Sequence, residues 1–271
     1  MITTLKAVVL GIVQGLTEFI PVSSSGHLVL VPKLFGWSDP GLAFDVVLHL
    51  GTLLAVLAYF RKEWVTVIRG FFTSLAVRPS EWDGSQRLAW LLILATIPAA
   101  VAGAALSGFF DDHLRSAASV AAFLAVGSLA ILAAELWSKR PRTFEDIRAR
   151  DAGAMGILQV VALAPGMSRS GITMSAGMFS GIDREAAARF SFMMSAPVIA
   201  GAGVVEAVKV ARQGFGGVTA GMLIAGFVTS AVVGFLTVKY LLRYLRRGSL
   251  APFAIYGLAV AAAVFLLLIL S

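Results

Sequence analysis

The chain contains no cysteine, which excludes disulfides, thiolate-bound zinc, iron–sulfur clusters and a thiol nucleophile together. Charge is scarce as well: 14% of the 271 residues are Asp, Glu, Lys or Arg, against 58% hydrophobic, and mean hydropathy is +0.88. Ordinary soluble domains carry about 25% charged residues, so a large water-exposed domain is excluded and the bilayer is the solvent. Long polar segments are also missing, since the stretches between apolar runs are short. One membrane domain, 1–271, is the simplest organisation, and its chemistry must rest on oxygen and nitrogen groups.

The net charge of +7 does not point to nucleic acid, because the basic residues sit in short loops beside apolar segments, where they report topology. Lys6 precedes a short apolar run soon interrupted by Gln14 and Glu18, with no small-residue cleavage site, so a cleaved signal peptide is not expected.

Six apolar stretches are long enough to cross a bilayer, at 42–60, 88–108, 117–137, 186–208, 218–242 and 250–270. Two more, 5–35 and 153–182, are interrupted by Pro21-Val-Ser-Ser-Ser-Gly-His27 and Pro165-Gly-Met-Ser-Arg-Ser-Gly171. Proline removes a backbone donor and pushes the preceding residue out of helical geometry, so the first halves should stop near Ile20 and Ala164. The serines that follow suit helix N-caps. Each interrupted stretch therefore reads as helix, turn, helix. Non-helical backbone at membrane depth is tolerated only inside protein or beside a wet cavity.

Loops 61–87, 138–152 and 239–249 carry most of the Lys and Arg, which makes them cytoplasmic. The outer side then holds Lys6, Lys33, Asp111, Asp112, Arg115, Lys209 and Arg212. The first broken hairpin enters from outside and the second from inside. Sliding the chain on itself by 145 positions aligns Gly11–Gly26 with Gly156–Gly171, and six of the sixteen positions are identical, Gly11, Ile12, Gln14, Ser23, Ser25 and Gly26. Typical residue usage predicts roughly one. A repeat whose copies insert from opposite faces marks an inverted-topology fold with its site at the interrupted helices. The expected architecture is an all-α polytopic membrane protein, with repeat one over about 1–137, a cytoplasmic linker at 138–152 and repeat two over 153–271.

The breaks gather Gln14, Glu18, Ser23, Ser24, Ser25 and His27 with Ser168, Arg169, Ser170 and Thr173. Gln14 and Glu18 are four apart and share a helix face. A charge at this depth costs about 2.5 to 3.5 kcal/mol on insertion scales, so Glu18 and Arg169 need partners, and opposite signs make them neighbours. Two helix N-termini with free N–H groups, plus an Arg fork, suit a phosphate or diphosphate. An acid, a histidine and hydroxyls add a nucleophile, a proton carrier and a ligand for a hard cation, which makes phosphoryl transfer accessible.

The segments Gln14-Gly-Leu-Thr-Glu18-Phe-Ile-Pro-Val-Ser-Ser-Ser-Gly-His27 and Pro165-Gly-Met-Ser-Arg-Ser-Gly-Ile-Thr173 closely resemble the two signatures of the undecaprenyl-diphosphate phosphatase family, the bacitracin-resistance type. Chain length and spacing extend the resemblance over essentially the whole chain. It implies removal of the terminal phosphate from undecaprenyl diphosphate, giving undecaprenyl phosphate, the carrier lipid of peptidoglycan synthesis. It also implies dependence on a divalent cation, Mg2+ or Ca2+, and a site open to the outer face of the bacterial inner membrane. By position, Glu18 matches the second acid of the family's first motif, while Gln14 stands where many members have Glu, which weakens a two-carboxylate metal site. Ser24, His27 and Arg169 match the signature serine, histidine and phosphate-holding arginine.

The residue roles follow. Glu18 is a general base or metal ligand, Arg169 a phosphate binder, Ser24 or His27 the nucleophile, and water the third candidate. Gln14, Ser23, Ser25, Ser168, Ser170 and Thr173 are expected to contact substrate. Asp45 and His49, assigned to an outer membrane edge, and His113, in a loop, are given no role. The partners expected are the polyprenyl diphosphate and membrane lipid, with a homodimer as the oligomer to consider. The alternative function is a polyprenyl-phosphate flippase, because inverted repeats with broken helices are common in carriers.

Overall fold

A computed structural model describes residues 3–114, 116–213 and 218–270. Arg115 lies outside them, as do the side chains of Asp111, Asp112, Lys209 and Arg212 that were assigned to the outer face. The described chain is helical: α1 Thr4–Thr17, α2 Ser24–Leu34, α3 Leu42–Tyr59, α4 Arg61–Ser74, α5 Gly84–His113, α6 Ala117–Trp137, α7 Ala149–Val161, α8 Arg169–Phe179, α9 Arg184–Gln213, α10 Ala220–Leu245 and α11 Ala251–Leu270. Extended pairing among the described residues is limited to one isolated bridge, Arg142 to Ile182.

Helices α5, α6, α9, α10 and α11 are long and apolar enough to cross a membrane, and α3 is the sixth crossing when it is counted with α4 as one broken span. These are the six stretches expected from the sequence. By contrast α1, α2, α7 and α8 have 14, 11, 13 and 11 residues. At 1.5 Å per residue they fall short of the hydrocarbon thickness of about 30 Å. They form the two re-entrant hairpins, α1–α2 and α7–α8.

The segment 61–87 is not the plain loop that its basic residues suggested. The chain bends by 83° between α3 and α4, at the point where Arg61, Lys62 and Glu63 follow the apolar span. Val67, Gly70 and Ser74 of α4 are buried, and the Ser74 hydroxyl accepts from Trp90 Nε1 of α5 at 2.9 Å. Val65, Ile68, Phe72 and Leu75 stay exposed, which is the division of faces expected of a helix lying in the membrane interface.

Packing repeats along with the sequence. Helix α1 packs on α10 as α7 packs on α5, while α3 meets α9 and α6 meets α11. Exchanging the copies (α1 with α7, α3 with α9, α5 with α10, α6 with α11) maps this set of pairs onto itself. Each copy contributes a hairpin that returns to its own side and three crossings. That odd number inverts the second copy relative to the first. The α1–α10 seam is close because a Cβ on Gly11 would lie 2.7 Å from the Gly226 carbonyl oxygen, and one on Gly15 2.8 Å from Gly234 N. Small residues here let two backbones touch, as in other membrane helix pairs.

The linker 138–152 is strapped to the α8–α9 turn rather than free. Arg142 N donates to Gly181 O at 3.0 Å, Asp183 N donates to Arg142 O at 2.8 Å, and the Arg142 guanidinium bonds Ser180 O, Asp146 O and the Asp151 carboxylate. Bonds from the Thr143 backbone and hydroxyl hold the Asp146 carboxyl below the usual carboxylate range.

Candidate active site

Both first halves end three residues earlier than proline sterics alone suggested, at Thr17 and Val161 rather than Ile20 and Ala164. In the second break the final turn tightens, with Leu163 N donating to Val160 O and Ala164 N to Val161 O, a common way for a helix end to satisfy its last carbonyls. In the first break Glu18 N and Ile20 N still donate four residues back, to Gln14 O and Leu16 O, and Glu18 and Phe19 leave in different directions. Phe19 enters the core against Phe192, with ring centroids 5.2 Å apart at 76°. Glu18 turns to the other break.

The second halves start on matched caps. Ser23 and Ser168 have φ of 71° and 61° with ψ of 97° and 95°, and they are the only non-glycine residues with positive φ among those described. Each hydroxyl accepts from the backbone N–H three residues on, Gly26 and Gly171, both at 3.2 Å. Strain of this kind costs on the order of 1–3 kcal/mol and persists only where the surroundings impose it. Here it sets both helix starts at one angle. The breaks also touch directly: Gly166 N donates to Ser25 Oγ at 3.4 Å.

Ser24 and Arg169 each occupy the first helical position after the cap, and both point at Glu18. Ser24 Oγ donates to Glu18 Oε2 at 2.6 Å, and Arg169 Nη2 donates to Oε1 at 2.6 Å. Gln14, one turn back on α1, donates Nε2 to Oε2 at 3.0 Å. Glu18, one of the deepest charges, thus has the partner that insertion cost demanded. Arg169 also donates Nη1 to Ser191 O of α9 at 3.1 Å. Thr173 supports that contact, its hydroxyl 2.7 Å from both Arg169 O and Ser191 Oγ.

Other expected residues are placed differently. His27 is not directed at Glu18 by any of its hydrogen bonds. Its Nδ1 donates to Ser23 O at 2.8 Å, so Nε2 is the acceptor for the Tyr256 hydroxyl of α11 at 2.9 Å, with the two rings stacked. Ser23, Ser168, Ser170 and Thr173, all expected at the substrate, are buried. The first two hydroxyls act as caps, and Thr173 braces Arg169. Only Ser24, Ser25 and Arg169 of the expected polar set keep partial exposure.

His49 corrects the sequence reading. Its Nε2 lies 3.5 Å from Glu18 Oε2, while Nδ1 is 2.8 Å from Asp45 O. It was assigned to a membrane edge, but α3 begins at Leu42, and seven residues at 1.5 Å rise carry His49 about 10 Å down the helix. That is the depth of the breaks. The available signal was an ionisable residue inside an apolar run, the same signal that singled out Glu18. Tyr256 had no comparable signal in its apolar span.

The groups available to a divalent cation are few. No cluster of three or more His, Asp or Glu side chains suited to a metal occurs among the described residues. However, Gln14 Oε1 is buried and without a hydrogen-bond partner beside Glu18. One carboxylate, one amide oxygen and one hydroxyl fit a hard cation that keeps waters and takes its other ligands from substrate phosphate.

A hydroxyl in contact with a carboxylate that a third group orients has the general geometry of an activated hydroxyl, and Ser24, Glu18 and Arg169 stand in that order. The chain is 45% identical to a Rubrobacter xylanophilus protein over all of both chains, 45% identical to one from Moorella thermoacetica over 96% of each, and 45% identical to one from Geobacter sulfurreducens over 96% of each. Each of those proteins is named undecaprenyl-diphosphatase. The family model described as bacitracin resistance protein BacA matches residues 7–263. With the match running through both breaks and nearly the whole length, this chain belongs to the bacitracin resistance protein BacA family.

Proposed function

We propose that the protein is an integral membrane phosphatase that hydrolyses undecaprenyl diphosphate to undecaprenyl phosphate and inorganic phosphate, recycling the carrier lipid for peptidoglycan synthesis and conferring bacitracin resistance. The observation that carries the reading is the Ser24 hydroxyl 2.6 Å from Glu18, with Arg169 on the opposite carboxylate oxygen. Ser24 gives its proton to Glu18 as its oxygen bonds the terminal phosphorus. The bridging P–O bond breaks and undecaprenyl phosphate leaves. Water then attacks phosphoserine with Glu18, returned to its ionised form by solvent, as base, and Ser24 regains a proton. Arg169 and the N–H groups of α2 and α8 stabilise charge on the transferring phosphoryl group, where most catalysis of this reaction arises.

His27 has both ring nitrogens engaged, which favours Ser24 over it as nucleophile. Glu18, Gln14 and Ser24 would hold a Mg2+ or Ca2+ ion together with the substrate, and the ion's contribution is neutralisation of diphosphate charge. The basic loops support a cytoplasmic placement for 61–87, 138–152 and 239–249, and the family resemblance supports a bacterial inner-membrane location with the site open to the outer face. The polar groups of the clamp all come from one chain, so the reading does not depend on a homodimer. Lipid flipping, suggested by the inverted repeat, is the second reading.

Phosphate release from undecaprenyl diphosphate by purified protein in detergent tests the proposal, because a pure carrier gives none. Rapid denaturing quench at neutral pH during turnover, which preserves phosphoserine and phosphohistidine alike, should trap phosphate on Ser24. Phosphate on His27, or on neither residue during active turnover, would overturn the serine step.

A further inference from the structure

Four side chains converge on the Glu18 carboxylate: Gln14 Nε2, Ser24 Oγ and Arg169 Nη2 donate to it, and His49 Nε2 lies 3.5 Å away. Such a set is unusual for a buried acid and normal for a bound phosphate. Exposure sorts the four. The Glu18 side chain is 5% exposed, Arg169 16% and His49 26%, so an anion entering the site meets Arg169 and His49 before it meets the carboxylate. We infer that His49 is a second phosphate-binding residue, which with Arg169 forms a two-armed clamp that Glu18 occupies while substrate is absent.

Three features fit His49 for this task. A carbonyl oxygen only accepts, so Nδ1 donates to Asp45 O and fixes the ring within α3. With that edge of the ring held by α3, the opposite edge, Nε2, is the one turned to Glu18 Oε2. Its contact with Glu18, at 3.5 Å, is also the longest of the four, which makes it the one exchanged for a phosphate oxygen at least cost. Arg169 stands on α8 and is held by Ser191 O of α9 as well as by Glu18. His49 stands on α3, a different element, so the two side chains bracket the anion site rather than crowd one edge.

The inference rests on the phosphatase reading, and its test separates the two. Full-length protein in detergent is assayed with undecaprenyl diphosphate, with inorganic phosphate as product inhibitor, for the wild type, His49→Leu and His49→Gln. Losing one charge-assisted contact should raise both KM and the phosphate inhibition constant about tenfold in His49→Leu. His49→Gln, which keeps an N–H donor, should recover part of each. A fall in melting temperature with an unchanged phosphate inhibition constant would show that His49 only braces Glu18, and would overturn the inference. If the wild type releases no phosphate, the phosphatase reading fails first. The stabilisation of folded protein by added phosphate, compared between wild type and His49→Leu, then still decides whether His49 binds the anion.

Discussion

The Glu18–Arg169 pair allows a quantitative test of how the site is held together. The pair is buried, with side-chain exposures of 5% and 16% and a separation of 2.6 Å. Removing one partner of such a pair strands a charge and costs about 3–5 kcal/mol, whereas replacing both with apolar residues of similar volume is often neutral. Arg169→Met leaves Glu18 with the Gln14 and Ser24 donors and His49 nearby, so its loss should sit near the lower end, about 3 kcal/mol. Glu18→Met leaves the Arg169 guanidinium, among the described residues, with Ser191 O, so its loss should be near the upper end, about 5 kcal/mol. The double variant should lie within about 1 kcal/mol of wild type, a coupling energy far above that of independent sites. Reversible unfolding of the four proteins in one detergent, read by intrinsic fluorescence, gives the cycle. Phosphate release should fall on the order of a hundred-fold or more in every variant, the usual effect of removing a preorganised charge. Additive losses in the double variant would falsify the view that stranded charge, rather than lost packing, sets the cost. A double variant that folds well but is inactive is the expected result.

Three further outcomes follow from the breaks. Gly166 has φ of +102°, and a Cβ there would lie 2.3 Å from Val120 O; Gly166→Ala should cost about 2–4 kcal/mol through overpacking and left-handed strain. It should also lower phosphate release although no reacting group changes, and wild-type turnover in this variant would refute the role of the break contact. Ser168→Gly loses the cap to Gly171 but relieves the positive φ, so it should destabilise by only a few tenths of a kcal/mol, against about 1 kcal/mol or more for Ser168→Ala; the reverse order in unfolding experiments would remove strain from the account. Gln14→Glu places a second carboxylate one turn from Glu18, where like charges repel. Added Mg2+ should therefore raise the melting temperature of Gln14→Glu more than that of wild type, and equal shifts would argue against a cation at this position.

The sequence exposed the architecture because membrane physics leaves few options. Apolar runs of spanning length must be helices, and all six fall on observed spans within a few residues at most ends. Proline followed by serine located both breaks, and the cost of buried charge paired Glu18 with Arg169 before any coordinates. What stayed hidden depended on rotation and depth. The start of α3 was already legible at 42, but which face of the helix turns His49 to Glu18 was not, and the Tyr256–His27 pair joins residues 229 positions apart. Likewise, the serines and Thr173 look like phosphate contacts in a list of residues. Only geometry shows that Ser23 and Ser168 have turned inward to hold helix ends, and that Thr173 holds an arginine.

Ser24 and Arg169 stand at the same place in the two repeats, the first residue of the second half-helix, and face one carboxylate from opposite sides. A self-complementary pair of identical halves would present two hydroxyls or two guanidiniums across that axis, so the working site exists only in a hetero-combination. Expressed as separate polypeptides, one copy of each half should reassemble a functional site, and two copies of either half should not.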